Sequence, residues 1–177
     1  MVKELTLRDG TAAMIWALSP DDAQALQEGY GHLTPESRYR RFLSAPPNLS
    51  ERVLHVLVDH VDGVNHVALV LVAFAEDGSD EAVGVGRMVR YPDCPTVADV
   101  AVTVSDEWHG RGVATALLAE LVEQRPAGVT ELLTEVASDN RASLAMLARL
   151  GTMRTAPGGP GVREVRVQLA APTQVAG

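Results

Sequence analysis

The chain has 177 residues, a formal net charge of −8, 46% hydrophobic and 21% charged residues, the balance of one globular domain able to bury a core. No basic run offsets the negative charge, which excludes a general nucleic-acid binder and suits cationic partners such as amines or lysine-rich surfaces. Cys94 is the only cysteine, so neither a disulfide framework nor a cysteine zinc site is available and a reducing compartment is expected.

The opening MVKELTLRDG has no signal-peptide apolar core, and the longest apolar run, Val67 to Ala75, is far short of the ~18 residues that span a bilayer. A cytoplasmic protein without a membrane partner is expected. Leu5 to Arg8 and Ala12 to Leu18 flank Asp9-Gly10, a dipeptide typical of a type I′ hairpin. Ser19-Pro20-Asp21-Asp22 and Thr34-Pro35-Glu36 read as helix starts, with the hydroxyl as cap and proline in the first turn. Ala45-Pro46-Pro47-Asn48 ends the second helix. Ser50 caps a third, with Val53, Leu54, Leu57 and Val58 on one face.

His66 to Phe74 is apolar on both parities, as for a strand covered on both faces. Glu76-Asp77-Gly78-Ser79 turns the chain into a strand over Ala82 to Val89, whose Gly84 and Gly86 leave one face bare for close approach. Tyr91 to Pro95 reads as a loop. The strand Val97 to Val104, the turn Ser105 to Gly112 and an amphipathic helix from Val113 follow in direct succession. Pro126-Ala127-Gly128 ends that helix, Glu131 to Val136 is a strand, and Asn140 to Leu150 a helix with Gly151 as its C′ residue. Two strands separated by Pro157 to Gly161 complete the domain. The expected fold is α/β, with a mixed, mostly antiparallel sheet flanked by helices and one strand–helix–strand crossover. Residues 1–170 form one domain, and 171–177 a flexible tail.

A strand, a glycine turn and an immediate helix concentrate backbone N–H groups and the positive helix end at one point, which attracts phosphate. A P-loop requires a lysine after its last glycine, and none follows Gly110 or Gly112; a dinucleotide fingerprint requires glycine where Thr115 stands. The pattern Gln/Arg-x-x-Gly-x-Gly/Ala is met by His109-Gly110-Arg111-Gly112-Val113-Ala114. With the later segment Asn140-Arg141-Ala142-Ser143 to Leu150-Gly151, it resembles the acetyl-coenzyme A site of the GNAT superfamily of N-acetyltransferases. Leu33 to Phe42, Val58-Asp59-His60 and Ala98-Asp99-Val100-Ala101-Val102-Thr103-Val104 narrow the resemblance to the catalytic domain of bacterial protein lysine acetyltransferases. The chain has no room for the regulatory or ligase-like domain often joined to that domain.

The resemblance implies acetyl-coenzyme A as co-substrate, no metal, and an amine as acceptor. A protein lysine is the leading acceptor; a small amine metabolite or antibiotic, or a degenerate acyl-coenzyme A sensor with little turnover, are the alternatives. A second copy of the chain is a candidate partner. Val102, Thr103 and Val104 would meet the pantetheine arm. The backbone of His109, Gly110, Arg111, Gly112, Val113, Ala114 and Thr115 would take the pyrophosphate, with Arg111 either adding charge or staying solvated. Asn140 and Ser143 would reach the pantetheine or the thiol, helix capping being their other reading. A lysine amine must lose its proton before attack, at a cost of roughly 4–5 kcal/mol at pH 7, so a base is valuable. Asp99 stands where the resembled enzymes carry glutamate in the run Ala-Glu-x-Ala, one methylene shorter, which favours relay through a water. Glu135 is the second candidate base. The tyrosine acid of some family members falls at Leu147 and is missing, and His60, His66 and His109 read as structural or solvated. Trp108 and Trp16 read as packing residues.

Overall fold

The computed structural model describes residues 2–43, 48–74 and 79–170. Its axis is β3 (His66–Phe74), buried throughout except at Phe74, as a strand of valine and leucine on both parities must be. β3 pairs antiparallel with β2 (Ala12–Ala17) on one side and β4 (Asp80–Tyr91) on the other. Beyond β2 lies β1 (Val2–Thr6), and beyond β4 lies β5 (Cys94–Val104), both antiparallel to their neighbours. After β5 the chain crosses over through α4 (Val113–Glu123) to β6 (Glu131–Ala137), which lies parallel to β5. Finally β7 (Gly151–Pro157) and β8 (Val162–Leu169) complete one eight-stranded sheet of order β1-β2-β3-β4-β5-β6-β8-β7. This is the mixed, mostly antiparallel α/β fold expected from the sequence.

Between β2 and β3 run α1 (Ala23–His32), α2 (Pro35–Phe42) and α3 (Glu51–Val58), and between β6 and β7 runs α5 (Arg141–Leu147). Their starts follow local chemistry: the side chains of Thr34, Ser50 and Asn140 accept from the N–H groups of Ser37, Val53 and Ser143 at 3.2, 3.3 and 3.1 Å. Strand alternation sorts the core into two layers. Ala68, Val70 and Val72 pack with Leu18, Leu26 and Val58, on the α1 and α3 side. Val67, Leu69, Leu71 and Met88 pack with Leu117 and Leu121 of α4 on the other side. α4 can approach this closely because β4 offers glycine. A Cβ on Gly84 would lie 2.7 Å from Val113 Cγ1, and one on Gly86 2.9 Å from Leu121 Cδ1.

Several local expectations are corrected. The β1–β2 connection is not type I′, because Gly10 alone has positive φ, at 92°; Asp9 instead accepts from the Thr11 N–H at 3.1 Å, giving a longer loop closed by a left-handed glycine. Val53 faces solvent, so the buried side of α3 is carried by Leu54, Leu57 and Val58. The loop expected over Tyr91 to Pro95 is a tight hairpin, with Tyr91 opposite Cys94. α5 stops at Leu147, and Gly151 is not its C′ residue but the first of β7, where a Cβ would lie 1.9 Å from the Gln168 carbonyl oxygen. The turn over 76–78, the break over 45–47 and the tail 171–177 lie outside the described residues.

The feature that makes a site is the joint between β5 and β6. They pair only at Val97 with Glu131 and Ala98 with Leu132, and then part. Gly84→Ala is expected to displace the start of α4 and cost about 2 kcal/mol, a fall in Tm of about 4–8 °C measurable by scanning calorimetry.

Candidate active site

Beyond Ala98 one edge of β5 has no strand beside it. Ser105 donates its N–H to the Val83 carbonyl at 3.0 Å, so by antiparallel alternation the odd residues of β5 bond to β4 and the even ones face the open cleft. Two of the exposed carbonyls are taken by side chains. Val100 O accepts from the Thr134 hydroxyl at 3.1 Å, and Val104 O contacts His109 Nε2 at 3.2 Å. Val102, between them, is left to pair with an extended ligand lying along the strand. Thr103 points to the opposite face.

At the end of β5 a short 3-10 turn, Asp106–Trp108, leads into the glycine turn and α4. Gly110 and Gly112 have φ of 78° and 96°, values that other residues rarely adopt. Among the described residues, no group accepts from the N–H of Gly110, Arg111, Gly112, Val113, Ala114 or Thr115. A row of open donors at a helix N-terminus is an anion cradle. His109 closes its floor through the Val104 contact. Arg111 is engaged elsewhere: its guanidinium lies 3.5 Å from Asp9 and 4.4 Å over the Trp108 ring. On the β6 side, Asn140 is buried and caps α5 through its Oδ1, leaving Nδ2 toward the cleft, which Ser143 also lines. The capping reading of this pair therefore holds for the Asn140 oxygen and the Ser143 N–H. Leu147 is buried in the core and offers no acid.

Both candidate carboxylates line the same cleft of about 760 Å³, on the sheet face that carries the odd residues of β5 and β6. Glu135 is exposed. Asp99 is half-buried, and burial raises its pKa, a shift opposed by the Thr134 hydroxyl, Arg41, the Val100 N–H and Arg87. Burial lowers the Arg41 guanidinium and brings Arg87 down to about 10, with Asp99 opposing both shifts. Tyr91 spans from β4 to β6, its hydroxyl donating to Leu133 O at 3.3 Å. Burial raises its pKa, and the carboxylates of Asp99, Glu135 and Glu164 add to this, so it stays protonated. Neither His60 nor His66 lines the cleft; His66 contacts the His60 carbonyl at 2.9 Å, and burial lowers its pKa. Among the described residues no cluster has the composition of a metal site, and no helix is long and apolar enough to cross a membrane.

One carboxylate outside the expected set ties the site together. Asp106 accepts from the Thr34 N–H at 2.8 Å and the Ser37 hydroxyl at 2.5 Å, with His109 Nδ1 at 4.0 Å. It thereby fastens the start of α2 to the glycine turn, and α2 brings Ser37, Arg40 and Arg41 to the cleft wall. A second cavity of about 560 Å³, lined by Trp16, Leu26, Tyr30, Val70 and Val85, lies under α1 and shares Arg41 and Thr103 with the cleft.

Residues 28–152 match the acetyltransferase (GNAT) family. The chain belongs to the acetyltransferase (GNAT) family. It is 29% identical over 148 residues to acetyltransferase Pat of Mycolicibacterium smegmatis, covering 83% of this chain and 43% of that protein, so it spans less than half of that relative. An acetyltransferase of Pseudomonas aeruginosa is 28% identical over 149 residues, covering 82% of this chain and 77% of its own. Among solved structures, the GNAT domain of S. lividans PAT superposes with a TM-score of 0.81 at 28% identity, covering 95% of this chain and 97% of that one. This GNAT chain is accordingly an N-acetyltransferase by class, close to Pat catalytic domains.

Enzymes of this family use acetyl-coenzyme A, and the residues present fit it: open donors at the turn, glycine where side chains would intrude, and an unpaired strand edge at Val102. Arg41, Arg87, Tyr91 and Asp106 were not foreseen. A lone arginine within the apolar run Ala82 to Val89 was the only local signal for any of them.

The Asp106 clamp gives a pH-dependent expectation. Burial would raise its pKa, but Ser37, Thr34 and His109 together hold it below the ordinary 3.8. Because the folded-state pKa is depressed, its stabilisation is present above the unfolded value and lost as pH falls through the folded one. Asp106→Ala should cost about 1–2 kcal/mol at pH 7, with the gap to wild type in urea unfolding closing below about pH 4.

Proposed function

We propose that this GNAT enzyme moves the acetyl group of acetyl-coenzyme A to an amine, and that the amine is a protein lysine side chain. The observation that carries the reading is the opening of β5 from β6, with cofactor groups along its even edge and Asp99 on its odd face. Bound acetyl-coenzyme A supplies an activated thioester. The turn 109–115 holds the pyrophosphate through backbone N–H groups, Val102 and Val104 align the pantetheine beside Thr103, and Asn140 Nδ2 and Ser143 close the far wall. Arg111, engaged by Asp9 and Trp108, keeps the turn in shape. Residues 1–170 act as one catalytic domain.

Asp99 is proposed as the base. Its pKa, raised by burial, makes it a better proton acceptor than an exposed aspartate, while Arg41 and Arg87 hold the carboxylate available in its ionised form. Being short, it takes the amine proton through a water. Glu135, exposed across the cleft, is proposed to attract the cationic acceptor before it is deprotonated. The likeness to Pat domains, which spans both the acceptor-side helix and β5, supports lysine as the acceptor. A second reading, a small diamine as acceptor, is favoured by 42% identity over 76 residues to L-2,4-diaminobutyric acid acetyltransferase of Nocardia farcinica, which covers 41% of this chain.

Thiol release from acetyl-coenzyme A, with a lysine-rich protein and with free 2,4-diaminobutyrate as rival acceptors, separates the two readings. A higher kcat/KM with the protein supports ours, and the reverse order replaces it. Asp99→Ala should lower kcat/KM by about 10²–10⁴-fold, whereas Glu135→Ala should raise KM and leave kcat within about threefold. The limb of kcat/KM that rises with pH through the Asp99 pKa, above 3.8, should vanish in Asp99→Asn; its survival would sink the assignment.

A further inference from the structure

We infer that Arg8, on the β1–β2 hairpin, is the cation that meets the pyrophosphate of coenzyme A at the start of α4, and that Arg111, inside the glycine turn, is not. The inference rests on the cofactor site proposed above and adds to it a residue from outside the family's turn.

The hairpin and the glycine turn are one packed unit. Leu7, at the hairpin's base, is buried, and its N–H donates to Thr11 O at 2.8 Å while its carbonyl accepts from Gly10 at 3.0 Å. The next N–H, that of Arg8, donates to the carbonyl of Arg111 at 3.0 Å. A Cβ on Gly112 would lie 3.5 Å from Arg8 Cβ, so the root of the Arg8 side chain stands against the residue that caps α4. The side chain lines the cofactor cleft. Among the described residues no carboxylate pairs with its guanidinium and no ring stacks on it. Its neighbour in sequence does the opposite work: Asp9 draws Arg111 toward itself at 3.5 Å, and Trp108 covers the Arg111 guanidinium at 4.4 Å. One hairpin thus engages the turn's own arginine and presents another in its place.

The remaining cleft cations are poorly placed for this task. Arg40 is held by Glu36 at 2.5 Å, Arg41 sits beside Asp99, and Arg149 lies beyond the end of α5, on the β6 side. In a chain of net charge −8, a polyanion needs a local cation to offset long-range repulsion. A guanidinium fork can bond two phosphate oxygens at once while the turn's N–H groups bond others.

The test is calorimetric titration of coenzyme A, and of dephospho-coenzyme A, which lacks the 3′-phosphate, into wild type, Arg8→Gln, Arg8→Lys and Arg111→Gln. Arg8 is exposed, so its variants should unfold at the wild-type temperature. Arg8→Gln should weaken both ligands by the same factor, about tenfold, and flatten the salt dependence of binding. Arg8→Lys should fall between wild type and Arg8→Gln, and Arg111→Gln should stay within about threefold of wild type. Unchanged affinity in Arg8→Gln, or a larger loss in Arg111→Gln, overturns the inference. So does a loss seen only with coenzyme A, which would give Arg8 to the 3′-phosphate. Wild type that binds neither ligand would instead defeat the cofactor reading itself.

Discussion

The structure depends on a joint that closes for only two residue pairs. β5 and β6 are held together at Val97–Glu131 and Ala98–Leu132, and beyond them each strand keeps a partner on its outer side alone. An unpaired strand edge inside a protein leaves donors and acceptors to be satisfied by something else. Here side chains cover two of the three cleft-facing carbonyls, from Thr134 and His109, and the remaining position faces a cavity long enough for an extended molecule. The crossover through α4 is what holds the strands apart. The helix packs on Gly84 and Gly86 of β4, which fixes its N-terminus, and therefore the open N–H groups of the turn, at the mouth of the gap.

Charge is distributed around this gap in two layers. Outside, backbone donors and an arginine face the place where phosphate would lie. Inside, on the opposite face of β5, one carboxylate sits between two buried guanidinium groups on different elements, Arg41 from α2 and Arg87 from β4. Neither arrangement depends on a single element. Asp106 joins them, because it is bonded at once to the first turn of α2 and to the segment that begins the anion cradle. A change in either layer is felt in the other through that carboxylate.

How much of this could be read from sequence follows from how local each signal is. The turn His109 to Ala114, its glycines, and the caps at Thr34, Ser50 and Asn140 were legible because each is specified by residues within a few positions. The same holds for β3, whose unbroken apolar run allows no other reading. The hairpin at Pro92-Asp93 was taken for a loop because Tyr91 and Cys94 carry no alternation that marks strand ends. Gly151 was misread because a strand glycine opposite a carbonyl and a helix-ending glycine look alike in one dimension. Arg41, Arg87 and Asp106 were illegible for a deeper reason. Their roles are set by groups on other elements, and nothing near them in sequence announces that a charge will be buried or clamped. Arg111 shows the converse: its neighbours suggested phosphate, and Asp9, at the far end of the chain, decided otherwise.

The brevity of the β5–β6 joint has a thermodynamic consequence. β1 to β5 with α4 form one lobe, and β6 to β8 with α5 another, and little hydrogen bonding crosses between their strands. The seam is therefore the natural line of sub-global opening, with a free energy below that of complete unfolding. A ligand laid along β5 and reached by Asn140 from the other lobe acts as a staple across the seam. Its binding energy then appears as resistance to that opening, growing with the logarithm of ligand concentration, so amides on both sides of the gap become harder to exchange although the ligand touches few of them.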